Sequence, residues 1–129
     1  LSAIDLGMGR SVKEAGANSN HTCAILDDNT LKCWGANDSG QLGQGNIDNL
    51  GDGQNEMGDN LSAIKLGTGR SAKSVQLGGF CTCALLDNET LKCWGRSNYG
   101  QLGQGITDAL GDGLNEMGDN LMAIDLGTQ

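Results

Sequence analysis

The sequence predicts an all-β chain of two tandem 60-residue units, each a blade of four short strands, followed by the start of a third. Three observations predict it. The first is internal repetition. LSAIDLG at 1–7 returns as LSAIKLG at 61–67 and as LMAIDLG at 121–127, and residues 1–60 match residues 61–120 at 38 of 60 positions. The second is periodicity: no segment of helical length carries apolar residues at helical spacing. The third is composition, with 22 glycines and no proline in 129 residues. Such a chain has many turns, and its four aromatic residues make a thin core. The units are therefore 1–60 and 61–120, with 121–129 opening a third and no linker between them. A unit of this size usually buries its apolar face only against a neighbour, so the pattern reads as part of a propeller or of an open repeat array.

Within a unit the clearest element is a hairpin. Thr22–Leu26 and Thr30–Trp34 are rich in β-formers and flank Asp27-Asp28-Asn29. A three-residue hairpin loop ends in a left-handed residue, and asparagine tolerates that conformation. This loop sets Leu26 opposite Thr30, Ile25 opposite Leu31 and Cys23 opposite Cys33. The second unit sets Cys83 opposite Cys93, with Glu89 in the left-handed place. Gly40–Gly45 reads as tight turns around one apolar anchor, Leu42, repeated at Leu102. Residues 46–60 read as a polar loop. Ala63–Leu66 is expected to be a short strand, and Ser71–Gln76 another. The tryptophans Trp34 and Trp94 are the largest apolar groups and are expected in the core at equivalent places.

Charge excludes some classes. The net charge is -8 and the pI about 4.3, which disfavours nucleic acid and bare anionic membranes as partners. No apolar run approaches the ~20 residues that span a bilayer. The first residue is Leu and no signal-peptide pattern opens the chain, which reads as a processed or excised piece.

HTCAILDDNTLKCWGANDSGQLGQG at 21–45 and its counterpart at 81–105 resemble the repeat of the regulator of chromosome condensation family, the RCC1-like β-propellers. The shared pattern is a hairpin carrying CAL and CWG, then GQLGxG. The loop ending GDGQNEMGDNLSAIKLGTGR resembles a longer repeat variant of often-secreted members. Asn29 and Glu89 stand where the family favours glycine, and family propellers close with about seven blades where this chain holds two.

Together with the opposed register, this resemblance implies two hairpin disulfides, Cys23–Cys33 and Cys83–Cys93, in an oxidising compartment. The fifth cysteine, Cys81, stands where the first unit has His21. It reads as a buried free thiol or as the site of an intermolecular disulfide. Zinc is disfavoured, because Cys81-x-Cys83 lacks knuckle spacing and the one histidine lies in the other unit. No catalytic residue emerges: His21 occupies a family packing position, and neither a phosphate loop nor a CxxCH haem site occurs.

Asp48, Asp52, Glu56 and Asp59 recur as Asp108, Asp112, Glu116 and Asp119. Their oxygens on glycine-rich loops read as turn formers, with calcium as the alternative at Asp48, Asp52, Asp108 and Asp112. Four N-x-S/T sequons, at Asn20, Asn37, Asn60 and Asn88, are candidate glycosylation sites. The function expected is a non-enzymatic extracellular structural or assembly module, a segment of a surface protein, appendage or fibre. Its expected partners are copies of itself or further repeats. The resemblance also implies two alternatives: a protein-binding propeller fragment, like the secreted family member that inhibits β-lactamase, and, less favoured, guanine nucleotide exchange.

Overall fold

The computed structural model describes residues 1–127; the last two residues of the expected third unit, 128 and 129, lie outside the described residues. The chain forms two three-stranded antiparallel sheets. The first holds β1 (Val12–Ala17), β2 (His21–Leu26) and β3 (Leu31–Gly35), and the second holds β4 (Ala72–Leu77), β5 (Cys81–Leu86) and β6 (Leu91–Gly95). Single turns of 3-10 helix follow at Gly58–Asn60 and Gly118–Asn120.

The hairpins have the register read from their loops. Cys23 faces Cys33 and Ile25 faces Leu31, and Cys83 faces Cys93 and Leu85 faces Leu91. Leu26 N–H donates to Thr30 O at 2.9 Å. Asn29 and Glu89 both adopt the left-handed conformation, at φ 67° and 69°. Asp28 Oδ1 accepts the backbone and hydroxyl protons of Thr30, and Asn88 does the same for Thr90, so each loop is closed by its own side chains. Disulfides join Cys23 to Cys33 and Cys83 to Cys93, each across Cα atoms 4.1 Å apart.

The strand count differs from expectation. Ala63–Leu66 is an extended segment rather than a fourth strand. Its Ile64 N–H donates to Leu31 O at 2.7 Å, but no ladder develops. The reason is packing: this connector crosses from one sheet to the next. Leu61 packs in the cluster of the first sheet with Leu6, Ala24 and Leu26, while Ile64 and Leu66 join the larger cluster that spans both sheets. A segment serving two sheets cannot run flush along the edge of either.

Lysines fasten these connectors. Lys32 Nζ donates to Leu6 O and Gly58 O, both at 2.9 Å, and Lys92 repeats this with Leu66 O and Gly118 O. Both lysines are buried. Burial lowers the Lys92 pKa, and the Asp119 carboxylate opposes that shift. Each ammonium supplies protons to two backbone carbonyls, of which Gly58 O and Gly118 O also accept the N–H of Leu61 and Leu121.

Candidate functional site

The most constrained polar network lies where the two sheets meet. The turn Gly40–Gly43 of the first repeat is fully buried against the second. It sits on Trp94, whose Nε1–H donates to Gln41 O at 3.1 Å. Thr82 Oγ1 donates to the same carbonyl at 2.7 Å, and His21 Nε2 lies 2.8 Å from that hydroxyl. A hydroxyl has one proton, and here it goes to Gln41 O. His21 must therefore carry its proton on Nε2, a tautomer assigned from the network. Its Nδ1 is buried with no partner, and burial holds the imidazole pKa below its usual value.

The backbones approach closely here. A Cβ at Gly40 would lie 2.5 Å from the Asp112 nitrogen, and one at Gly43 would lie 2.8 Å from Trp94 Nε1. Gly45 N–H donates to Gly111 O at 2.9 Å. Asn20 Nδ2 donates to Gly79 O at 2.8 Å, and Asn18 donates to Gly78 O.

The equivalent surfaces at the two outer faces are open. In the second repeat Gly100, Gln101 and Gly103 are exposed, and Cys81, Cys83, Leu85 and Leu91 are half-exposed. In the first repeat, Trp34 is half-exposed and borders a hollow of about 290 Å³ with Ala36, Leu50, Gly51 and Asp52. Trp94, Leu42 and Leu102 are each 0 % exposed, whereas Trp34, expected at an equivalent place in the core, is half-exposed. Trp94 is covered by the Gly40–Gly43 turn of the first repeat, and no equivalent turn among the described residues covers Trp34.

Cys81 is the free thiol, half-buried, with its pKa raised by burial. A protonated thiol is a weak nucleophile. Among the sequons, Asn37 is corrected. It is 0 % exposed, and its amide donates to Asn46 O at 3.0 Å and Asp48 O at 2.9 Å, which leaves no room for a glycan in the folded chain. Asn60 and Asn88 are exposed, and Asn20 is half-buried at the junction.

The acidic loops have an internal order. Glu56 accepts N–H donors from Gly51 and Gly53, both at 2.8 Å, and Glu116 accepts those of Gly111 and Gly113. The Gly53 bond leads in holding Glu56 below the usual carboxylate range. Asp119 accepts the Thr68 hydroxyl and N–H, which lowers its pKa. Asp48, Asp52 and Asp108 are exposed, and Asp112 lies beside Gly40 at the junction. Among the described residues no three His, Cys, Asp or Glu side chains gather as a metal ion would require. A cleft of about 870 Å³ runs between residues 62–68 and 113–120, with Lys65, Arg70, Glu116 and Asp119 among its lining residues.

Residues 12–41 and 72–101 match the regulator of chromosome condensation (RCC1) repeat. The chain carries two RCC1-like repeats. The ultraviolet-B receptor UVR8 of Arabidopsis thaliana is 30 % identical over 97 residues, which are 75 % of this chain and 20 % of the receptor. The fold resembles human WBSCR16 at a TM-score of 0.62 and 21 % identity, over 89 % of this chain and 25 % of that one. It also resembles yeast RCC1 (Prp20) bound to Kap60, at a TM-score of 0.54 and 26 % identity, over 71 % of this chain and 19 % of that one. The chain thus spans a fifth or a quarter of the length of these proteins. The matched stretches contain β1–β3 and β4–β6 and end at Gln41 and Gln101. The matched stretches therefore reach the first two residues, Gly40 and Gln41, of the turn that builds the junction. Lys32 and Lys92 lie inside the same motif, and sequence reasoning missed them because a strand lysine reads as solvated until its neighbours are known.

Proposed function

We propose that this chain is a non-catalytic, extracellular segment of an RCC1-like repeat array that works by holding protein surfaces together. The carrying observation is the junction, where one repeat's Gly-Gln-Leu-Gly turn is received by the next repeat's tryptophan and threonine. That geometry is a docking device. The only histidine is committed to it and burial raises the pKa of the free thiol, so among the described residues the two do not pair as base and nucleophile. The yeast relative is seen bound to another protein, Kap60, which supports protein binding as the kind of work such repeats do. The disulfide in each hairpin supports an oxidising, extracellular setting, and the exposed sequons Asn60 and Asn88 fit it.

Thiol counting by mass on protein isolated natively tests the reading. One alkylated cysteine before reduction and five after it are expected. Five without reductant would overturn the extracellular setting.

A further inference from the structure

The motif that opens each repeat places an aspartate two residues before a glycine, with one exception. In LSAIDLG at 1–7 and LMAIDLG at 121–127 the aspartate folds back on its own backbone. Asp5 Oδ1 accepts Gly7 N–H at 3.0 Å, and Asp125 Oδ1 accepts Gly127 N–H at 2.9 Å. In LSAIKLG at 61–67 that residue is Lys65. Gly67 is half-buried, and its N–H has no acceptor among the described residues. The place of the carboxylate is open. A Cβ on Gly58 would lie 2.6 Å from Asp5 Oδ2, whereas one on Gly118 meets only Lys65 Cβ, at 3.6 Å. Lys65, Gly67 and Gly118 all line the cleft of about 870 Å³. The opening comes from a substitution inside the chain. The first repeat closes the equivalent site with its own Asp5, so the fold does not call on a neighbouring repeat to fill it.

Two further differences between the repeats act in the same sense. Arg10 pairs with Asp27 and, at 2.8 Å, with Asp28. Asn88 stands in place of Asp28, and among the described residues Arg70 keeps only Asp87, at 3.6 Å. Lys65 has no ion-pair partner among the described residues. Relative to the first repeat the site is three charges more positive, two from Lys65 for Asp5 and one from Asn88 for Asp28. Arg70 Cγ and Lys92 Nζ lie 3.2 and 3.4 Å from where a Gly67 Cβ would stand. The carboxylates that remain in the cleft are already engaged, Asp119 by Thr68 and Glu116 by Gly111 and Gly113. On the cleft wall Leu114, 87 % exposed, replaces Gln54.

We propose that this cleft binds a carboxylate carried by an acidic segment of another protein, with an apolar residue beside it. The carboxylate takes the place that Asp5 fills in the first repeat. One oxygen accepts Gly67 N–H, and Lys65 and Arg70 supply the counter-charge. The neighbouring apolar residue packs on Leu114. The cleft is far larger than one carboxylate, and an exposed leucine on its wall suits a peptide better than a free anion. The choice of a protein partner rests on the protein-holding reading above, and the cleft adds the chemistry of that partner. The chain carries -8 overall, so the rest of its surface repels an acidic segment and this cleft fixes where one lands.

Titration of the isotope-labelled chain with acetyl-Asp-Leu-Asp-Leu-amide, followed by NMR, tests this, with acetate and acetyl-Asn-Leu-Asn-Leu-amide as comparisons. The Gly67 amide proton should move downfield and saturate with the acidic peptide. Gly7, whose N–H is held by Asp5, should not move. The acidic peptide should bind about tenfold or more tighter than acetate, the asparagine peptide should not bind, and added salt should weaken binding. Lys65→Asp restores the residue found in the other two copies of the motif. It should bring the Gly67 amide close to the Gly7 position without ligand and abolish binding. Asn88→Asp pairs Arg70 again and should weaken both ligands severalfold. Leu114→Gln should weaken the peptide and leave acetate unchanged. No saturable shift at Gly67, or equal binding by the Lys65→Asp chain, overturns the site, and a peptide no tighter than acetate overturns the protein partner. Absence of binding to a chain with both hairpin disulfides intact leaves the array reading standing, and five free thiols in a chain that binds do the reverse.

Discussion

Trp34 and Trp94 occupy the same place in the same five-residue word, LKCWG, and differ in burial. Trp94 is 0 % exposed and hydrogen-bonded, and Trp34 borders an open hollow. The same asymmetry runs through the neighbouring residues: Gln41 is buried and Gln101 exposed, and His21 is buried and Cys81 half-exposed. A repeat of this kind is therefore finished by its neighbour. Its own residues set the sheet, and the adjoining repeat decides which face becomes core.

The sharpest way to break this comparison is the tryptophan pair. Trp94→Ala should cost about 3–5 kcal/mol in urea denaturation, and Trp34→Ala about 1–2 kcal/mol. Equal losses would mean that the outer face is covered in solution. The disulfides come next. Each closes a loop of separation 10, so replacing either pair by alanine should cost about 2–3 kcal/mol on the chain-entropy account. Loss of Cys23–Cys33 should exceed loss of Cys83–Cys93, because Cys23 and Cys33 are both 0 % exposed and their removal also leaves a cavity.

Smaller still is the hydroxyl at the junction. Thr82→Val leaves Gln41 O and His21 short of a partner and should cost about 1–3 kcal/mol, whereas Thr22→Val should stay within about 0.5 kcal/mol. The smallest effect is on pH dependence. His21 has a folded pKa below its unfolded value of about 6.5. The unfolded chain therefore binds the proton first. The neutral junction contributes fully above the unfolded pKa, and stability falls as pH drops through that value toward the lower folded one. His21→Gln should flatten this part of a melting-temperature profile, and an unchanged slope would place the acid sensitivity elsewhere.

Much of the fold was legible in the sequence because it is local. The period, the hairpin register and the left-handed loop ends at Asn29 and Glu89 follow from residue type and short spacing. The turn at Gly40–Gly45 was legible as a turn, though its role at the junction was not. The least similar stretch, 14–20 against 74–80, falls where Asn18 and Asn20 reach across to the carbonyls of Gly78 and Gly79. Divergence between the repeats was thus a sign of the junction that could have been read earlier.

The sequence by itself determined two near-identical β units with opposed cysteine pairs, because strand pairing through a three-residue loop is settled by chain geometry alone. Only the tertiary structure decided that 63–66 is a connector, that Asn37 is buried, that Lys32 and Lys92 serve backbone carbonyls, and that Trp34 and Trp94 part company. Each of these depends on which atoms from distant residues come within a few ångströms. Two identical local words carry no record of which of them meets the Gly40–Gly43 turn.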